Sequence, residues 1–155
     1  MRHSALHDQP CSIARTVAVL GERWTLVILR QAFQGQRRFE DMQRGLGIAR
    51  NILADRLSRL VDEGILERRP YQERPPRYEY RLTDKGRDLY PVLVSLMRWG
   101  DRYNAGEAGP PVLLVHRTCG HETAPQFVCS HCGEPIDPRE VSPKAGPGLV
   151  AAATG

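Results

Sequence analysis

The chain has 155 residues, 41% of them hydrophobic and only 6% aromatic, with a formal charge of +4 and a pI near 9.1. That length allows one compact domain plus an appendage around a mostly aliphatic core, and the charge suits a polyanionic partner without requiring one. No apolar run approaches the roughly 20 residues that span a bilayer, and Met1 to Gln9 carries two His, Arg2 and Asp8 rather than a hydrophobic leader, so a cytoplasmic protein without a membrane partner is expected.

The first ordered element opens at Pro10-Cys11-Ser12, with Cys11 or Ser12 near the N-cap. Ile13, Val17 and Leu20 recur at helical steps until Gly21 ends the stretch. A second helix is expected from Glu22 to Phe33, striped by Trp24, Ile28 and Leu29, with Trp24 assigned to the core. Arg37 and Arg38 lead into a short helix over Phe39 to Leu46, with Phe39, Met42 and Leu46 on one face. After a tight turn at Gly47-Ile48, a longer helix is expected from Arg50 to Glu63. Its Leu53, Leu57, Leu60 and Val61 point one way, while Asn51, Asp55, Ser58 and Arg59 fall on the other side. Gly64 caps it.

Ile65 to Tyr71 and Arg77 to Leu82 read as two strands. The connection Gln72-Glu73-Arg74-Pro75-Pro76 has two prolines and should be an exposed loop. Thr83 is the expected N-cap of a long helix to about Asn104. Ala105 to Pro111 forms a Gly/Pro-rich linker before a Cys/His segment, and a Pro/Gly/Ala/Thr tail over residues 142–155 is expected to be disordered.

Helix, short turn, amphipathic helix and two strands with a basic tip is the winged helix-turn-helix order, in a mainly α chain with a small β-wing (α+β). An α-helix fits the major groove of B-DNA, and an adjacent loop can reach a neighbouring phosphate. Arg50, Arg56 and Arg59 nearly balance Asp55, Asp62 and Glu63 on the longer helix. The positive excess lies instead in the strands and their tip. That division suits base contacts by the helix and phosphate contacts by the wing. The expected DNA-facing residues are Arg38, Arg50, Asn51, Asp55, Arg56, Arg59, Arg74 and Arg77. No Ser/His/Asp arrangement, paired carboxylates or Gly-rich phosphate loop points to an enzyme, and no organic cofactor is indicated. The competing reading is a zinc-binding redox or protein-interaction module.

Cys11-Ser12-Ile13-Ala14, Gly21-Glu22-Arg23-Trp24-Thr25, Ile28-Leu29-Arg30 and Arg38-Phe39 resemble the opening half of HxlR-type regulators. Leu46-Gly47-Ile48-Ala49, Leu53-Ala54-Asp55-Arg56-Leu57, Leu60, Gly64 and Leu82-Thr83-Asp84-Lys85-Gly86 are similar to the second half. It is the ordered set, over residues 11–107, that carries the resemblance. It implies a bacterial transcription regulator acting on duplex DNA as a homodimer, with dimer contacts on the first helix and on residues 83–104. It also implies a possible oxidant or electrophile sensor at Cys11. Independently, Leu89, Val92, Leu93, Leu96, Trp99, Gly100 and Tyr103 make an apolar stripe that so small a domain has little left to cover.

The remaining cysteines lie in residues 112–141, where His116-Arg-Thr-Cys119-Gly120 and Cys129-Ser-His-Cys132-Gly133 are two copies of ligand-x-x-Cys-Gly. In a reducing compartment such thiols are more plausibly metal ligands than disulfides. Two knuckles of this spacing can bring His116, Cys119, Cys129 and Cys132 to one tetrahedral zinc. His121 and His131 are the competing imidazoles. The expectation is a zinc-ribbon-like appendage with a structural metal, since four protein ligands leave no open position for water.

Overall fold

The computed structural model describes residues 4–149, and the chain forms two compact units that divide between Leu93 and Val94. The first contains α1 (Ser4–His7), α2 (Ser12–Leu20), α3 (Thr25–Phe33), α4 (Phe39–Leu46), α5 (Arg50–Asp62), β1 (Leu66–Gln72), β2 (Arg77–Leu82) and α6 (Asp84–Arg87). Helix α7 (Tyr90–Asn104) starts there and continues into the second unit, which holds a hairpin of β3 (Leu114–His116) and β4 (His121–Thr123). The chain therefore has the winged helix-turn-helix order, mixing helix and strand. The expected tail is described only for residues 142–149, which are exposed; residues 150–155 lie outside the described part.

The core of the first unit follows the helical periodicity. Ile28 and Leu29 of α3, Met42 of α4, Leu53, Leu57 and Leu60 of α5 and Leu66 of β1 are fully buried together, with Trp24 packed against them. On α2 the small residues face inward: Ala14 and Ala18 are buried with Leu20, while Ile13 and Val17 are exposed, Ile13 by 75%. The larger members of the expected stripe thus point out. Alanine brings a backbone closer to its neighbours than isoleucine can, so apolar spacing alone does not say which side of a helix is the inner one.

Besides one-residue shifts at the ends of α5 and β1, the elements differ from the sequence reading in three places. The second helix begins at Thr25 rather than Glu22, because Glu22 to Trp24 form a turn in which the Thr25 N–H donates to the Glu22 carbonyl at 3.0 Å. The element after the wing is two helices rather than one. It breaks at Asp88–Leu89, where Pro91 has no N–H to donate to the Arg87 carbonyl. The short α1 was not foreseen.

Thr83 caps α6 as expected. Its hydroxyl accepts from the Gly86 N–H at 3.0 Å and lies 2.6 Å from the Gly64 carbonyl oxygen, to which it donates. Gly86 is required by close approach: a Cβ there would stand 2.2 Å from the Ile65 carbonyl oxygen. The Thr-x-x-Gly pattern thus seats α6 against the end of α5 and the start of β1.

Candidate nucleic-acid interface

The turn between α4 and α5 closes at Gly47, and α5 then lies with Leu53, Leu57 and Leu60 buried on the core. Its outer face exposes Arg50, Asn51, Ile52, Ala54, Asp55 and Ser58. This is the arrangement a groove-reading helix needs: one apolar side anchored, the opposite side free to meet base edges. Ile52 was missed by the sequence reading, since it breaks the polar pattern of that face.

Not every expected DNA-facing arginine is on that face. Arg56 is only 19% exposed at its side chain and pairs with Glu22 at 3.0 Å and with Asp55 at 3.3 Å. Arg59 pairs with the same Glu22 at 3.7 Å. Glu22, in the turn before α3, therefore clasps two arginines of α5. Arg50 lies across the Phe39 ring at 4.6 Å and 3.9 Å from Glu40, which ties the start of α5 to the start of α4. Asn51 and Asp55 are exposed on the outer face.

Strands β1 and β2 pair antiparallel from Leu66↔Leu82 to Gln72↔Arg77, with an irregularity between Pro70 and Gln72. The connection is exposed as expected. The Gln72 side-chain amide closes it by donating to the Arg74 and Pro75 carbonyls at 3.2 and 3.1 Å. A feature absent from the sequence reading fixes the wing to the helices: Arg38 bridges Glu79, and the Tyr80 N–H donates to the Arg37 carbonyl at 2.7 Å. A one-residue bridge leaves no periodic trace in a sequence.

In and beside the wing the arginines fall into three groups. Arg69 and Arg81 are neutralised by Glu67 at 2.7 Å and Glu79 at 2.6 Å. Arg68 stacks on Tyr78 at 3.7 Å and Arg38 on Tyr71 at 4.5 Å. Arg74 and Arg77 are exposed at the tip, and among the described residues neither has an ion-pair partner. Between the wing and the start of α4 lies an open cleft of about 520 Å³, edged by Arg38, Arg68, Tyr71, Arg77, Tyr78 and Tyr80.

Cys11 is exposed and occupies the N-cap of α2, where its side chain makes no capping hydrogen bond. The guanidinium of Arg15 is directed to the Gln9 carbonyl at 2.9 Å. In the second unit, His116 Nδ1 and Cys119 Sγ stand 3.4 Å apart. The Cys129 thiol is held below its ordinary pKa by the backbone N–H groups of Cys132 and His131 and by the Cys132 side chain. The two pairs do not converge: among the described residues no group of three or more His, Cys, Asp or Glu side chains is gathered closely enough to hold a metal ion. No helix among them is long and apolar enough to cross a membrane.

A groove-sized helix with an anchored inner face, a turn before it and a basic wing beside it define a helix-turn-helix regulator. The chain matches the HxlR-like helix-turn-helix model over residues 19–108, more than half its length, and it belongs to that family. It is 51% identical over 140 residues to the HTH-type transcriptional regulator Rv3095 of Mycobacterium tuberculosis, covering 90% of this chain and 89% of that one. The crystal structure of PA1607 superposes with a TM-score of 0.82 at 36% identity, over 92% of this chain and 99% of the other. The redox regulator HypR in its reduced form aligns with a TM-score of 0.56 at 30% identity, over 59% of this chain and 92% of its own.

Proposed function

We propose that this chain is a sequence-specific, homodimeric transcriptional regulator that reads duplex DNA with α5 and grips the flanking backbone with its wing. The observation that carries the reading is the two-sided α5: Leu53, Leu57 and Leu60 sealed in the core, Asn51, Asp55 and Ser58 facing out. Asn51 offers an amide suited to the adenine N6/N7 edge, and Ile52 an apolar surface suited to a thymine methyl. Arg74 and Arg77 supply the phosphate contacts. Arg56 and Arg59, drawn to Glu22, position α5 more than they read bases.

The dimer is supported by what the helices leave uncovered. Val92, Leu96, Trp99 and Tyr103 follow one another at steps of four, three and four along α7, so they share a face. All are exposed, Trp99 by 61% and Tyr103 by 60%, and the two rings lean together at 5.3 Å between centroids. Ile13 and Val17 on α2 add a second uncovered apolar strip. A monomer rarely leaves such patches in water.

A redox or electrophile response through Cys11 is supported by the exposure of this cysteine at the start of α2 and by the structural similarity to HypR, itself a redox regulator. The direct test of the main reading is selection from a randomised duplex pool. Paired, inverted half-sites are expected to enrich, and Asn51→Ala is expected to shift the preferred bases within each. A pool that fails to enrich for either protein would overturn the reading.

A further inference from the structure

The DNA-reading proposal uses nothing from residues 112–141. That segment is physically anomalous: from residue 111 to 149 no residue is buried, and only Leu114, Cys129 and Asp137 are partly covered. Leu113, Val115, Phe127, Val128 and Ile136 are all exposed. A stretch with no core cannot offset the entropy of ordering its chain by burial alone. Yet the segment holds two hairpin turns of well-defined geometry.

Those turns are near-copies. In the first, the Gly120 N–H donates to the His116 carbonyl at 2.7 Å; in the second, the Gly133 N–H donates to the Cys129 carbonyl at 2.8 Å. Gly120 has φ +72° and Gly133 φ +76°, a conformation that lets backbone N–H groups turn toward a sulfur. The first turn joins β3 to β4, in register His116↔His121. The second is closed by the Cys129 N–H donating to the Glu134 carbonyl, by a Val128↔Pro135 bridge and by the Ile136 N–H donating to the Phe127 carbonyl.

We infer that the two turns are the halves of one structural zinc site, with His116 Nδ1, Cys119, Cys129 and Cys132 as its ligands. The 3.4 Å between His116 Nδ1 and Cys119 Sγ already matches the edge of a zinc tetrahedron. Bonds of ~2.05 Å to nitrogen and ~2.3 Å to sulfur at the tetrahedral angle set ligand atoms about 3.5 Å apart. Three thiolates and an imidazole select zinc over calcium or magnesium, which take oxygen. Among the described residues no three such side chains are gathered closely enough to hold a metal ion, so the site requires the two turns to close on one another as the metal binds. His116 is the ligand rather than His121, because it reproduces the ligand-x-x-Cys step and its Nδ1 stands 3.4 Å from Cys119 Sγ. Residues Val112, Leu113 and Phe127 need no core if the metal supplies the order.

The test uses the full chain, purified reduced and without chelator. Elemental analysis is expected to find one zinc per chain, falling at least tenfold in Cys119→Ser and Cys132→Ser. His116→Ala should lose the metal and His121→Ala keep it. Cobalt(II) in place of zinc should give the intense visible bands of tetrahedral thiolate coordination. Proteolysis should spare residues 112–141 with zinc and cut them after chelation, while the thermal transition of the winged helix persists, which keeps a folding defect apart from metal loss. Less than a tenth of an equivalent of zinc in reduced protein supplied with zinc would overturn the site. Retention of zinc by His116→Ala, with loss by His121→Ala, would overturn the ligand assignment.

Discussion

Arg74 and Arg77 sit at the exposed tip of the wing with no ion-pair partner among the described residues, whereas Arg69 and Arg81 are already matched by Glu67 and Glu79. If the tip grips phosphate, each of the two releases counterions on binding, at about 0.9 in log–log salt slope per contact. A homodimer presents two wings, so a single Arg→Ala removes two contacts and flattens the slope by ~1.8. Over a fourfold rise in salt, between about 50 and 200 mM, that amounts to roughly a tenfold smaller loss of affinity than the unaltered protein suffers. Fluorescence anisotropy with labelled duplex at four or five salt concentrations measures it. The effect should be alike on specific and unrelated sequences, because phosphates are everywhere. Arg81→Ala, whose charge is held by Glu79, should change the slope far less. Unchanged slopes in both Arg74→Ala and Arg77→Ala would refute phosphate contact by the wing, and an equal change in Arg81→Ala would refute the division of its arginines.

Glu22→Ala should lower Tm by roughly 3–10 °C, because it leaves the largely buried Arg56 guanidinium with only the exposed Asp55 as partner and unpairs Arg59, at a cost of about 1–3 kcal/mol; Arg44→Ala, which breaks an exposed pair with Asp41, should cost under ~1 kcal/mol. Gly86→Ala should destabilise by about 1–3 kcal/mol through the clash with the Ile65 carbonyl, read from the urea midpoint at unchanged slope. Trp99→Glu should convert the dimer to a monomer in sedimentation velocity; an unchanged sedimentation coefficient would remove α7 from the interface. A quinone or peroxide should release DNA from the unaltered protein and not from Cys11→Ser, and equal release from both would retire Cys11 as the sensor.

The two-sided α5 was legible because its constraint is local. Leucines at Leu53, Leu57 and Leu60 must share a face at 3.6 residues per turn, and Asn51, Asp55 and Ser58 must then face out. The Thr83 cap was legible for the same reason. What the sequence hid is contact between distant positions. Arg56 and Arg59 read as groove-facing cations until the fold sets Glu22 beside them, more than thirty residues away in the chain. Arg38 reads as a DNA-facing residue ahead of a short helix, yet its backbone bridge to Glu79 and its stacking on Tyr71 anchor the wing. The stripe on the last helix was visible as one surface, but it serves two: Leu89 and Leu93 pack on the core while Val92, Leu96 and Trp99 are left exposed. On α2 the pattern pointed to Ile13 and Val17, and the alanines turned out to be inside. The two turns that end at Gly120 and Gly133 were visible outright as a repeated Cys-Gly spacing, since such spacing is local.

The central claim is that two copies of this chain place two α5 helices on one duplex. Hydroxyl-radical footprinting of a selected duplex, with the stoichiometry of the same complex measured by native mass spectrometry, tests it most directly. Two protected half-sites are predicted, their centres one or two helical turns of about 10 bp apart, bound by two chains. Protection of a lone half-site by a single chain, or no protection at any concentration that saturates binding, would contradict it.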